Sequence, residues 1–138
     1  MEDPEYTQLI EAFKETGQLP TIWQWIAREL VCAANILHLK HEERQKTDAK
    51  LPDDEKLWKL KSPMMLLYGL ALENLLKGLL VAKGVDATST GELNKKLKTH
   101  DVLYLWKEAG LSTNVAREEV LKNFHWSIEV GKDPVGTK

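Results

Sequence analysis

SPMMLLYGLALENLLKGLLVAKG, residues 62–84, decides the fold. It reads as one long helix, apolar on nearly every face, with a polar cluster of Glu73, Asn74 and Lys77 at its middle. Such a helix must be surrounded by other helices or by lipid. Its apolar core is about the ~20 residues a bilayer requires. Glu73 and Lys77 stand at its centre, however, where each charge costs on the order of 2.5–3.5 kcal/mol on insertion scales. A buried helix of a soluble protein is therefore expected, with no membrane partner and, in the absence of a basic leader and cleavage site, a cytoplasmic location.

Working outward, Ser62 and Pro63 form a cap-then-proline start and Gly84 sits where a helix C′ glycine belongs. Upstream, Asp3 and Pro4 open a short helix that Gly17 stops near Thr16. This N-terminal accessory helix, within residues 1–20, has one narrow apolar stripe of Leu9, Ile10 and Phe13 and is expected to lie across the bundle surface. Thr21, after Pro20, can cap a second helix in which Ile22, Ile26, Leu30, Ala33 and Leu37 form the expected inward stripe. The pattern then dissolves into HLKHEERQKTDAK, a solvated helical end, and a loop at Leu51–Asp54 that can open a turn through Leu57 and Trp58.

Downstream, VDATSTG (residues 85–91) is a small, mostly polar loop and the best candidate for local mobility. A short helix over Glu92–Lys98 is expected, then HDVLYLWKEA behind a Thr99 cap, closed by Gly110. A last helix follows Ser112, Thr113 or Asn114, with apolar positions Val115, Val120, Leu121, Phe124 and Ile128, and ends near Gly131. Residues 131–138 read as a flexible tail. No period-two alternation persists, so the chain is expected to be all-α: a single domain, an up-and-down bundle of four main helices with short accessory ones.

Bulk properties narrow the function less. The chain has 138 residues, 43% hydrophobic and 29% charged, which suits one soluble domain with a real core. With 19 basic and 21 acidic residues the net charge is −2, which offers no electrostatic argument for nucleic acid. The lone Cys32 excludes an internal disulfide, and its setting in VCAANIL suggests a buried, inert thiol.

LYGLALENLLKGLLVAKG, a polar loop and then KLKTHDVLYLWKEAG resemble the HEPN superfamily, small bacterial and archaeal helical bundles common beside nucleotidyltransferases and in defence or toxin–antitoxin loci. The resemblance is carried by Leu70–Lys77 and by His100-Asp101-Val102 leading into Leu105. It implies a homodimer, through the central helix or the late one, and a nucleotidyltransferase-type partner protein or RNA as possible ligands. Some members are metal-independent ribonucleases acting at an Arg-x4-6-His motif on a late helix; others are inactive binding modules. Here the corresponding pair is Arg117 and His125, separated by seven residues. That places them roughly 12 Å apart along the axis and about 80° apart around it, and Glu118 and Glu119 follow the arginine. Lys132-Asp133-Pro134 stands where some relatives carry Arg-Tyr-Pro.

The expected function is therefore a non-catalytic module that binds a partner protein or a nucleotide or RNA ligand. The alternatives are a ribonuclease with Arg117 and His125 in a composite dimer site, or a purely structural homodimer. Candidate ligand or interface residues are Glu73, Asn74, Lys77, His100 and Asp101, each with a plain structural alternative: an intrahelical ion pair on a wet side for Glu73 and Lys77, a helix start for His100 and Asp101. Asn123 and Trp126 join Arg117 and His125 as RNA-facing candidates. His38, His41 and Glu42 share a helix but match no zinc spacing, so a solvated surface is expected there and no metal. No phosphate-cradling or nucleophile motif occurs, and no cofactor is expected.

Overall fold

The computed structural model describes residues 3–52 and 61–132, with Asp48 and residues 125–132 described by backbone alone. Five α-helices are present among them: α1 (Pro4–Thr16), α2 (Pro20–Asp48), α3 (Lys61–Ala82), α4 (Val102–Glu108) and α5 (Val115–Lys132). A single 3-10 turn, Lys95–Leu97, precedes α4, and the described residues contain no strand. The fold is all-α.

Local signals account for most boundaries. Asp3 caps α1 by accepting from the Glu5 amide, with Pro4 behind it. At the end of α3, the Gly84 amide donates to Val81 O and the Val85 amide to Leu80 O, the paired bonds of a Schellman cap. Gly84 has φ +104°, a backbone region that an L side chain rarely enters. α4 ends the same way at Gly110, with Leu111 N bonded to Trp106 O. Asn114 opens α5 by accepting from the Arg117 amide. Two expected caps differ. α2 begins at Pro20, with Leu19 as a cap that offers no side-chain bond, so Thr21 lies inside the first turn. Ser62 lies inside α3, which already includes Lys61. The expected turn at Leu57 and Trp58 falls outside the described residues.

α3 is the axis: it packs against α2, α4 and α5. It is also the one described helix long and apolar enough to cross a bilayer, by length and composition. Its Leu76, Leu80 and Val81 meet Leu97, Val102 and Leu105 in the core, where the last three are fully buried. Each such side chain contributes roughly 1.5–3 kcal/mol of apolar burial. α1 has no buried residue, and of its apolar stripe Leu9 and Phe13 are exposed.

The register of α2 is a correction. Its fully buried positions are Ala27, Ala34 and His41, exposed by 1%, 0% and 8%; of the expected stripe Ile22, Leu30 and Leu37 are half-buried, whereas Ile26 and Ala33 are exposed. The cause is the closeness of α2 and α3. A Cβ built at Gly78 of α3 would sit 2.8 Å from Trp23 Cβ of α2, so the glycine is what lets α3 lie close against this large side chain. Trp23 is locked there by donating its indole N–H to Gly17 O. This rotation also carries Cys32 outward: the thiol is exposed, not buried.

The 85–91 loop differs too. It is pinned to the α1–α2 corner, with Ala87 and Thr88 each 1% exposed. Ala87 N donates to Gln18 Oε1, Thr88 Oγ1 to Lys14 O, and Asn94 Nδ2 closes the loop on Asp86 O. The expected helix over 92–98 is reduced to the turn at Lys95–Leu97, capped by Asn94.

Candidate functional site

A carboxylate in the middle of an apolar helix needs donors, and the fold supplies two to Glu73. One comes from the same helix, one turn on: Lys77 Nζ donates to Glu73 Oε1 at 2.5 Å. The other arrives from 27 residues away, where His100 Nδ1 lies 2.8 Å from Glu73 Oε2. An ionised carboxylate only accepts, so the imidazole donates from Nδ1. The side chains of Glu73 and Lys77 are 5% and 6% exposed and that of His100 34%. The pair is thus a buried ion pair, not the wet-side pair that helical spacing alone suggests.

Local structure holds His100 in place. Asp101, next to it, is the N-cap of α4 and accepts from the Tyr104 amide, while its own amide donates to Thr99 Oγ1. Thr99 therefore supports the cap and Asp101 is the cap. α4 itself is fixed by fully buried Val102 and Leu105 and by Lys83 Nζ, which donates to Ala109 O. The geometry can do one thing chemically: a carboxylate on Nδ1 fixes the orientation and tautomer of an imidazole, as in hydrolase triads. It equally serves as a lock between α3 and the start of α4.

The remaining candidates are dispersed. Asn74 donates its side-chain amide to Leu70 O one turn back, within α3. Asp101 is consumed by capping. Arg117 is exposed at the start of α5, but its guanidinium donates to Ser112 O and lies 5.8 Å from the centroid of the Trp106 ring. That is cation–π range and aims the group back at its own chain. Asn123 is exposed on α5; the side chains of His125 and Trp126 fall outside the described ones. His38 and Glu42 form an exposed pair at 3.2 Å, whereas His41 faces the core with no partner for Nδ1 among the described residues. No group of three potential metal ligands occurs among the described residues.

Two features escaped the residue-by-residue reading. One is the Glu73–His100 contact, whose sole sequence signal is the need of a buried carboxylate for a donor. The other is an exposed apolar row on α2, where Trp25, Ile36 and Leu39 are 59%, 68% and 65% exposed. No protein-family model, no curated protein and no solved structure matches this chain.

Proposed function

We propose that the chain is a non-catalytic, HEPN-like helical module whose work is protein association. In this proposal α2 to α5 form the up-and-down four-helix unit, α3 is its covered core helix rather than a membrane span, and α1 is an accessory. One observation carries the proposal: large apolar side chains stand in a row on the solvent side of α2, where a self-sufficient domain would place polar ones. The polar groups support it. Glu73, Lys77 and His100 hold one another, and Arg117 is engaged by Ser112 O and the Trp106 ring.

Labelled single-stranded RNA incubated with the purified full chain, without metal, is the decisive assay. Uncut RNA, with no difference among wild type, Arg117→Ala and His125→Ala, is the expected result. Cleavage that either substitution abolishes would establish the ribonuclease alternative instead.

A further inference from the structure

α1 is attached to the rest of the chain at one end. Among the described residues, every side-chain bond from residues 3–18 to the remainder falls on Lys14, Gly17 or Gln18. Thr88 Oγ1 donates to Lys14 O and Trp23 Nε1 to Gly17 O. Gln18 is held twice: its Nε2 donates to Asp86 Oδ1 at 2.5 Å, and its Oε1 accepts from the Ala87 amide at 2.8 Å. Asp86 also accepts from the Ser89 amide and hydroxyl, so this carboxylate belongs to the loop and reaches out to α1. Apolar burial adds little. Tyr6, Leu9 and Phe13 are exposed, and only Ile10 of the same face is half-buried, beside Gly91. α1 lies along none of the other helices, whereas α3 packs along three.

We propose that α1 is a strap that opens from the bundle as a unit of its own, with residues 17–19 as hinge and Gln18–Asp86 as latch. Pro20 sets the hinge. Its ring removes the amide that would continue a helix and holds Leu19 extended, at φ −94° and ψ 111°, so α1 and α2 cannot merge into one rod. Opening gives up the four bonds above but uncovers no fully buried side chain of α1. Opening α3 would expose Leu76, Leu80 and Val81, so the two events differ widely in cost. A freed helix of 13 residues is marginal in water, and the strap therefore unwinds as it leaves. Ala87 and Thr88, each buried while the strap is shut, become accessible. The latch thus decides whether the 85–91 loop is covered. The outer row of α2 takes no part in it, so the strap stands apart from the association reading.

Amide hydrogen exchange on the full chain, resolved by peptide, tests this. The amides of α1 should be at least about a hundredfold less protected than those of residues 76–81 in α3. Leu105→Ala, at a fully buried position, should speed exchange at 76–81 by at least about tenfold and leave α1 within about twofold of wild type. Sub-denaturing urea on the wild type makes the same separation without a substitution: it should accelerate 76–81 steeply and α1 weakly, because the two openings expose different areas. Gln18→Glu sets a second carboxylate against Asp86 and should speed exchange in α1 by about tenfold. Gln8→Glu, the same charge change at an exposed position off the latch, should leave it within about twofold. An α1 as protected as α3, or one that follows α3 in Leu105→Ala and in urea, overturns the strap. Exchange in α1 that ignores Gln18→Glu, or responds equally to Gln8→Glu, overturns the latch.

Discussion

Breaking the Glu73–Lys77 pair from one side should cost far more than removing it whole. Both side chains are about 95% buried, so each charge has exchanged water for its partner. Glu73→Leu leaves the Lys77 ammonium inside the bundle without an anion, and such a change costs about 3–5 kcal/mol. Against a total of roughly 5–15 kcal/mol for a domain of this size, that is about a fifth of the stability or more. Lys77→Met is milder, because Glu73 keeps His100 Nδ1 at 2.8 Å; its cost should fall at the lower end of the same range.

The double variant Glu73→Leu/Lys77→Met removes both charges and fills the space with apolar groups. It leaves only His100, already one-third exposed and able to reach water. Its cost should be about 0–2 kcal/mol, well below the sum of the singles, a coupling of at least about 2 kcal/mol. Urea unfolding at neutral pH, followed by circular dichroism and by tryptophan fluorescence, measures all four corners of the cycle. Singles that cost under about 1 kcal/mol, or that add within about 0.5 kcal/mol, would refute the burial argument.

Further outcomes follow from the loop and the late helix. Gly17→Ala would place a methyl 2.3 Å from Thr88 Oγ1 and Cγ2, so it should destabilise by about 1–3 kcal/mol in urea melts, with part of the loss recovered in Gly17→Ala/Thr88→Ala. Asp86 is held below the ordinary aspartate range by bonds from the Ser89 hydroxyl, the Ser89 amide and the Gln18 side chain. Its contribution is therefore complete above about pH 4 and is lost as the pH falls below that; stability profiles of wild type and Asp86→Asn should differ at neutral pH and converge in acid. Arg117→Ala removes the contact over Trp106 and the bond to Ser112 O, a loss of about 0.5–1 kcal/mol in thermal melts, with a changed Trp106 emission.

Which features were legible in the sequence follows from how local each one is. The cap at Asp3 and the stops at Gly84 and Gly110 depend on bonds spanning at most five residues, and the chain carries them in plain view. The central position of α3 was legible because no amphipathic alternative exists for its composition. The Glu73–His100 contact spans 27 residues and has no spacing rule. The 85–91 loop looked mobile because its residues are small and polar; they are small because they fit under the α1–α2 corner, where Thr88 occupies the space a Cβ at Gly17 would need.

The misread register of α2 has a physical source that bears on function. Size-weighted periodicity puts the largest apolar residues inside, and a close crossing inverts that rule. Gly78 lets α3 lie close against Trp23, and farther along α2 the buried apolar positions are Ala27 and Ala34. Trp23, Leu30 and Leu37 are half-buried, while Trp25, Ile36 and Leu39 are left exposed on the far side. A surface helix with no further contact would gain nothing from Trp25, Ile36 and Leu39 there, since exposed positions carry no packing requirement that favours them over lysine or glutamate. One of these two sides of α2 makes an observed contact, and the other is the surface that the proposed association would use. The inner one is the contact with α3, and Ile36→Glu removes apolar surface from the outer one without touching it.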